Sequence, residues 1–495
     1  MSEPFDRLTA SRMVEAAAEQ LEPFLAWARD RGRPPPRFVE REFRRFLQCG
    51  ILAHGFLRVH CDACGCDRLV PFSCKGRGFC NSCGGRRMAD TAAHLVDRVL
   101  PQTPVRQWVL SLPFSLRYRL AYDARLTRDV LRLFVRRVFA SMRRRARLRW
   151  PIDVPQCGAV TFVQRFGGAL NLNVHFHTLV LDGVYDPGDG MRFRPLPPPT
   201  NGEVARVTLS VVRGIARLLE RRGLGPDADP DEIDPVSRDE PLLAAISSAS
   251  VRGSIATGPR AGQAVLRFGD KVDIDHLPAA QGERCASMGG VSVHANVAVP
   301  PRDRQRLERL CRYAARPPLA IERLSRLVDG RLLYALRHRW RDGTTHVGFE
   351  PLELLEKLAA LVPPPRVNVV RYHGVLAPAA RHRARVVPSD SVPTSENGST
   401  HADCETKPLL GRHSEPEDSL PGPRTRNYSW AELMRRVFEV DVLECPACQG
   451  PMRVLAAIHS PEATRAILDC LGLPSRAPPV SPAKLDSTDH FAKAF

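Results

Sequence analysis

The chain has 495 residues, of which 43% are hydrophobic, and a formal net charge of +18. This composition excludes a disordered polymer, and at roughly 100–200 residues per domain the length predicts more than one domain. No apolar run reaches the roughly 18 residues that span a bilayer, and the charged, amphipathic start is unlike a signal peptide. We therefore expect a cytoplasmic protein that makes no membrane contact.

The positive charge is almost entirely arginine, whose planar guanidinium group suits phosphate recognition. Codon bias in a GC-rich genome would exchange lysine for arginine, but it would not create a surplus of this size. The surplus therefore predicts a nucleic-acid partner.

Residues 1–95 are predicted to form a helical, zinc-binding DNA-recognition domain. Residues 1–58 read as helical, with a break at the proline-rich residues 32–36. Two Cys-x-x-Cys pairs follow, separated by 15 residues: Cys61, Cys64, Cys80 and Cys83. This spacing is typical of a closed, structural four-thiolate zinc site.

Other side chains lie close to this cysteine cluster. Cys66 and Cys74 are spare and are alternatives for one of the four ligands. Arg86 and Arg87 follow the second pair, so we expect the zinc module to contact DNA phosphates, although a solvated basic rim is the simpler alternative.

Residues 96–385 are the largest segment and mix strands with helices. The sequence predicts strands at Gln107–Leu112 and Ala159–Val163 and an arginine-rich helix at Thr127–Trp150. Residues 171–177 alternate strictly, which is the period of a strand. One face of this strand carries His175 and His177.

Two histidines side by side on a strand form a rigid platform for Mn²⁺, Mg²⁺ or Zn²⁺. The alternative is a half-buried strand with a polar outer face. Gln164, on the preceding strand, is a candidate third ligand, and His294 competes for that position. A site with two or three protein ligands leaves positions open for a phosphate oxygen.

A helix is predicted at Pro301–Arg316, with prolines at its start and directly after its end. Tyr313 shares a face of this helix with Arg306, Arg309 and Arg316. Neighbouring cations would favour the phenolate and hold a phosphate, as a covalent nucleophile requires. The alternative is an amphipathic tyrosine that bridges core and solvent.

The C-terminal part is predicted to hold a flexible linker at 386–426, a small segment at 427–474 and a disordered tail at 475–495. Within the small segment, a helix is expected at Ser429–Phe438 and a strand at Val440–Leu443.

Cys445 and Cys448 in this segment supply half of a possible second zinc site. His459 and Cys470 are candidates to complete it, but their spacing is not typical of a zinc site.

Together these motifs resemble the bacterial rolling-circle insertion-sequence transposases of the HUH superfamily. The resemblance covers roughly residues 20–385 in order. It rests on the cysteine motif of residues 70–88, the histidine strand of residues 172–184, and the tyrosine motif of residues 310–318, followed by a motif at 370–378. Residues 430–453 are similar to the family's C-terminal tail.

The resemblance implies an α+β fold with an N-terminal zinc-binding module and a central antiparallel sheet flanked by helices. It implies that His175 and His177 hold a divalent ion, Mg²⁺ or Mn²⁺, and that Tyr313 attacks single-stranded DNA at element ends and target to give a 5′-phosphotyrosine. It implies structural Zn²⁺ and no organic cofactor. Tyr372 is the competing nucleophile.

One position departs from the family pattern. Many members carry two tyrosines four residues apart on this helix, and Arg309 occupies the partner position here. The resemblance is therefore to the single-tyrosine branch. A plasmid replication initiator or relaxase of the same chemistry, and a non-catalytic zinc-ribbon DNA-binding protein, are the alternative functions.

Overall fold

The computed structural model describes residues 12–225, 234–270, 282–388, 428–438 and 441–482. The helices in these ranges are α1 (Arg12–Asp30), α2 (Arg37–Phe46), α3 (Asn81–Arg98), α4 (Phe114–Tyr122), α5 (Ala124–Arg147), α6 (Asn201–Glu220), α7 (Pro235–Asp239), α8 (Pro241–Arg252), α9 (Arg304–Ala315), α10 (Pro351–Leu361), α11 (Trp430–Phe438) and α12 (Pro461–Cys470). None of the helices in the described ranges is both long enough and apolar enough to cross a bilayer.

The strands alternate with these helices along the chain. They are β1 (Phe56–Cys61), β2 (Asp67–Pro71), β3 (Val105–Ser111), β4 (Gly158–Phe166), β5 (Leu172–Leu181), β6 (Gly183–Asp186), β7 (Arg192–Pro195), β8 (Leu266–Gly269), β9 (Cys285–Met288), β10 (Val291–His294), β11 (Ala298–Val299), β12 (Leu324–Arg326), β13 (Leu332–Ala335), β14 (Thr344–Phe349), β15 (Val370–Gly374) and β16 (Met452–Ile458). The fold is a mixture of helices and antiparallel sheets, as the sequence predicts.

A central antiparallel sheet has the strand order β15-β4-β5-β3-β10-β9, with β11 also paired to β3. One core packs one face of this sheet against α5 and α6. Another core packs the opposite face against α3 and α9. Helices therefore cover both faces, and α9, the helix that carries Tyr313, lies on the same side as α3.

Local sequence explains where the key helices begin. The Asp123 carboxylate accepts hydrogen bonds from the first amides of α5, and Asp303 does the same for the Arg306 amide of α9. Such caps satisfy amide groups that have no partner inside the helix. The predicted helices at Thr127–Trp150 and Pro301–Arg316 are thus confirmed with slightly earlier and later starts.

The N-terminal helices pack into a core that later elements of the chain also form. Residues of α1 and α2, such as Phe24 and Phe43, share one core with α10, with residues 72–80 (the cysteine loop) and with strands β12, β13 and β14 of a four-stranded sheet. Helix α3 also runs through the expected boundary at residue 95. The break predicted at 32–36 is confirmed, but residues 56–58 belong to β1, not to a helix.

The C-terminal segment returns to the N-terminal part of the chain. Strand β16 pairs with β1, and together with β2 they form a three-stranded sheet. The helix predicted at Ser429–Phe438 is confirmed as α11. Of the predicted strand Val440–Leu443, residues 441–443 form no strand, and residue 440 lies outside the described residues.

Two further expectations fall mainly outside the described residues. The predicted linker is described only at 386–388, and the tail only at 475–482. Within the tail, the Ser481 amide donates a hydrogen bond to the Ala18 carbonyl of α1 over 2.9 Å.

Candidate active site and cysteine clusters

Three neighbouring strands position the two histidines. His175 and His177 lie on β5, at the middle of the central sheet, and their Nε2 atoms are 3.1 Å apart. His175 lies opposite Gln164 of β4, while His177 lies opposite Phe162. The strand predicted from the alternating pattern is therefore present, and it holds the two imidazoles together.

Burial keeps both imidazoles neutral. Removal from water lowers the pKa of His175 to about 4 and that of His177 to about 3, and the neighbouring His175 lowers the pKa of His177 further. The Nδ1 atom of His175 lies 2.9 Å from the Asn173 carbonyl oxygen, which assigns the proton to Nδ1. Its Nε2 atom then carries the lone pair that a metal ligand needs.

The Nδ1 atom of His177 has a different partner, the side-chain amide of Gln107 on β3. Gln107 is buried, and its side chain fixes the direction of the His177 ring. Sequence reasoning missed this residue because a glutamine on a strand belongs to no recognisable motif.

Gln164, the candidate third ligand, lies on β4 opposite His175. Its Nε2 atom donates hydrogen bonds to the carbonyl oxygens of Tyr313 and Ala314, over 3.2 and 2.8 Å. Its Oε1 atom is buried and has no hydrogen-bond partner among the described residues. A buried acceptor without a partner is costly, so an ion or water beside the histidines would satisfy it.

His294, the competing third ligand, is farther from the histidine pair. It lies on β10 opposite Val109, which in turn lies opposite His177. Strand spacing of about 4.8 Å places it roughly 10 Å from β5 in the sheet, and its side chain is exposed. The geometry therefore favours Gln164.

Tyr313 stands beside the histidine pair. Leu307, Cys311 and Ala314 form the buried face of α9, and Tyr313 lies beside that face. The phenol ring meets the His177 ring edge to face, with the ring centroids 5.7 Å apart. The Tyr313 side chain remains 36% exposed, so a substrate can reach it.

Two guanidinium groups lie against the Tyr313 ring. The Cζ atoms of Arg316 and Arg337 are 4.9 and 5.2 Å from its centroid. The Nε atom of Arg316 is buried without a hydrogen-bond partner among the described residues, and burial lowers the pKa of this guanidinium. Arg337 was not predicted, because it comes from the loop after β13.

The other predicted phosphate-binding arginines are dispersed. Arg306 and Arg309 are exposed on α9, and Arg86 is exposed on α3. Arg87 donates hydrogen bonds to the carbonyl oxygens of Gly76 and Lys75, so it also holds the cysteine loop.

A cleft connects the cysteine loop with the tyrosine end of α9. Side chains from both regions line it, among them Arg77, Arg87, Gln164, Arg316 and Pro317. Its basic lining is suited to a phosphate backbone.

Tyr372, the competing nucleophile, occupies a different position. It lies on β15 opposite Val160, and β4 separates its strand from the histidine strand. It is half-buried, and burial raises the pKa of its phenol. Of the two tyrosines, Tyr313 is therefore the one whose ring contacts a histidine of the pair.

The predicted four-cysteine site is divided between two clusters. The first cysteine cluster consists of Cys49, Cys74, Cys80 and Cys83, and the second cysteine cluster consists of Cys61, Cys64, Cys445 and Cys448. The structure therefore does not bring Cys61 and Cys64 together with Cys80 and Cys83, as the predicted set requires. The first Cys-x-x-Cys pair ends β1, while the second begins α3, and β2 and its following loop hold the two pairs apart.

The first cysteine cluster has the geometry of a closed metal site. Its four sulfur atoms lie within 4.8 Å of one another. The amides of Lys75 and Gly76 approach the sulfurs of Cys83 and Cys74 at 3.2 and 3.3 Å, an arrangement that stabilises thiolates. Cys74 takes part, as the sequence allowed, whereas Cys49 was missed because it lies alone, 25 residues before Cys74.

The predicted partners of Cys445 and Cys448 are elsewhere. The His459 ring stacks on Phe72, with centroids 4.5 Å apart, and Cys470 is exposed on α12. Cys66 belongs to neither cluster.

Comparison with known families gives two matches. Residues 158–214 and 242–384 match the family model described as a putative transposase, and residues 21–112 match the transposase zinc-binding domain. The chain carries two transposase domains. No curated protein and no solved structure matches the chain significantly.

The residues of the described site fall within two different matches. The putative transposase domain holds the histidine pair, Gln164 and Tyr313, and the zinc-binding domain holds the whole first cysteine cluster and Gln107. The first cysteine cluster is therefore the one of the two whose four cysteines all lie within the zinc-binding match. Cys445 and Cys448 lie outside both matches.

Proposed function

We propose that the chain is a transposase that cleaves and rejoins single-stranded DNA through a covalent bond to Tyr313, assisted by a divalent ion. The observation that carries this proposal is the contact between the Tyr313 ring and His177, whose Nε2 atom faces that of His175. A nucleophile and a metal-binding pair side by side are the two parts that such chemistry needs.

His175, His177 and Gln164 are the residues that would hold the ion. Both imidazoles are neutral, and the Gln164 Oε1 atom has no other partner among the described residues. The imidazole nitrogens suit a transition metal, and the amide oxygen suits Mn²⁺ or Mg²⁺. When bound, the ion supplies Lewis-acid polarisation of the scissile phosphate.

The remaining steps fall to the side chains around the tyrosine. The Tyr313 oxygen attacks phosphorus, the bond from phosphorus to the 3′ oxygen breaks, and a 5′-phosphotyrosine forms. The phenol proton leaves to solvent, and the departing 3′ oxygen takes up a proton to become a hydroxyl group. The bond between phosphorus and the tyrosine oxygen retains the free energy of the cleaved phosphodiester bond. Rejoining therefore requires no nucleotide or other organic cofactor.

Arginines near Tyr313 would hold the DNA. Arg316 and Arg337 lie against the Tyr313 ring, where they would neutralise the scissile phosphate. The cleft beyond Arg316, with Arg77 and Arg87, would continue the phosphate path toward the zinc-binding domain. A central antiparallel sheet with helices on both faces supports the HUH-type arrangement in this proposal.

A nicking assay tests this proposal. Wild-type protein should cut a labelled single-stranded oligonucleotide containing element-end sequence in the presence of Mg²⁺ or Mn²⁺ and should not cut it with chelator. Binding without cleavage under any metal would instead support a non-catalytic DNA-binding protein. A replication initiator or relaxase shares the chemistry, so the DNA flanking the gene, with or without element ends, separates that alternative.

A further inference from the structure

The two Cys-x-x-Cys loops of the second cysteine cluster have the same backbone hydrogen bonds. The Cys61 amide donates to the Cys66 carbonyl, and the Gly65 amide donates back to the Cys61 carbonyl, both over 2.9 Å. The C-terminal loop repeats this pattern: Cys445 donates to Gly450 over 2.9 Å and Gln449 donates to Cys445 over 2.8 Å.

The residue after each second cysteine is also equivalent. Gly65 has a φ of 72°, and Gln449 has a φ of 60°. This left-handed conformation is uncommon for glutamine and costs free energy, so the loop is held in it by its surroundings. The two loops are therefore matched half-sites that face each other.

The four thiols converge on one point. The Cys61 and Cys448 sulfurs are 3.4 Å apart, and the Cys64 and Cys445 sulfurs are 3.5 Å apart. With zinc–sulfur bonds of about 2.3 Å, tetrahedral ligands lie roughly 3.8 Å apart, so a small expansion accommodates the ion. A Cβ atom on Gly450 would lie 3.3 Å from the Cys448 sulfur and 3.6 Å from that of Cys61, so this residue has little room for a side chain.

The strands beside the loops hold the same two parts of the chain together. Strand β1 leads into Cys61, and β16 follows Gly450, and the two strands pair from Phe56↔Ile458 to Cys61↔Met452. The cysteine pairs that meet here are separated by 381 residues, measured between Cys64 and Cys445.

Helix α11, which precedes the C-terminal loop, contacts the helix of the proposed nucleophile. The Arg436 guanidinium donates to the Glu308 carboxylate of α9 over 2.7 Å and to the Asp97 carboxylate of α3 over 3.0 Å. Tyr428 also donates its hydroxyl to Asp97. The C-terminal segment thus braces α9 against α3.

We propose that Cys61, Cys64, Cys445 and Cys448 bind a second structural zinc ion, which fastens the C-terminal segment to the N-terminal zinc-binding domain. Four thiolates close the coordination sphere, so the ion has no catalytic role. Its effect is to hold α11 in place, and through Arg436 to support the helix that carries Tyr313. This zinc site is independent of whether Tyr313 attacks DNA.

Thiol alkylation of the folded wild-type protein tests the site directly. Cys64, Cys448 and Cys470 all have exposed side chains, but only Cys470 lies outside the clusters. Zinc should protect Cys64 and Cys448 from a maleimide while Cys470 reacts, and chelator should make all three reactive. Mass spectrometry showing that Cys64 and Cys448 react as fast as Cys470 without chelator would overturn the proposal.

Metal analysis of the full chain gives the stoichiometry. Wild type and the control Cys470→Ser should carry two zinc ions, and the double variant Cys445→Ser/Cys448→Ser should carry one. The ion retained at the first cysteine cluster reports that the rest of the chain is folded. A double variant with as much zinc as wild type would contradict the site.

The fastening role is tested by a specific protease site inserted between residues 389 and 427. After cleavage, the C-terminal fragment should co-elute with the rest of the chain in the wild-type background and separate from it in the Cys445→Ser/Cys448→Ser background. Co-elution in both backgrounds would show that zinc does not fasten the segment. Thiol alkylation, zinc content and co-elution are all measured without nicking, so these tests can fail while the proposed function stands.

Discussion

The side-chain amide of Gln107 on β3 contacts Nδ1 of His177 on the adjacent strand β5. This contact is made by the Gln107 Nε2 atom, which donates to Nδ1. A histidine that binds a metal through Nε2 carries its proton at Nδ1, so with an ion bound the Gln107 amide would turn its oxygen toward that proton and orient the ring. Gln107 is therefore a positioning residue for the histidine pair, although it does not contact the substrate.

We expect Gln107→Leu to lower the affinity of the histidine pair for its metal ion. The substitution keeps most of the side-chain volume but removes the amide, and losses of such outer partners typically cost about 10–100-fold in metal affinity. The Mn²⁺ concentration that gives half-maximal nicking should rise by about that factor, while the rate at saturating Mn²⁺ recovers. Gln107→Glu, which keeps an acceptor at Nδ1, should remain close to wild type, whereas an unchanged Mn²⁺ dependence in Gln107→Leu would contradict this role.

His175→Ala and His177→Ala should lose nicking but keep most of their DNA affinity. Removing an electrostatic stabiliser of a transition state costs roughly 100-fold or more in rate, whereas affinity depends on many arginines. The control is His294→Ala, because His294 lies on the same sheet but two strands away. Rates measured on a labelled single strand should fall for the first two variants only, and a normal rate in either would show that this histidine is not needed for cleavage.

The parts of the site that the sequence predicted are those with a local signature. The alternation around His175 and the helical spacing around Tyr313 each lie within a few residues, so strand and helix follow from periodicity. The zinc ligand sets do not, because Cys61 meets a sulfur that is 387 residues away at Cys448. The pairing of β1 with β16 decides that contact, and no spacing rule within one segment reports it.

The division of the cysteines into two clusters predicts that substitutions of Cys49 and Cys66 have different effects on the zinc content. Cys49→Ser should lose the zinc of the first cysteine cluster and lower the melting temperature, because structural zinc contributes on the order of 10 kcal/mol to local folding. Cys66→Ser should retain the wild-type zinc content, because Cys66 lies in neither cluster. Zinc measured by mass spectrometry after dialysis distinguishes them, and a loss with Cys66→Ser but not Cys49→Ser would refute the assignment.

The proposed cleavage mechanism is tested most directly by asking whether Tyr313 becomes covalently joined to DNA. Its ring contacts His177 and two guanidinium groups, while Tyr372 lies beyond β4. Wild-type protein should be incubated with a labelled single strand and Mn²⁺, denatured, digested and sequenced by mass spectrometry. We expect a nucleotide adduct on Tyr313 that is absent in Tyr313→Phe, which removes only the hydroxyl group, and unchanged in Tyr372→Phe. An adduct that persists in Tyr313→Phe, or that maps to Tyr372, would contradict this mechanism.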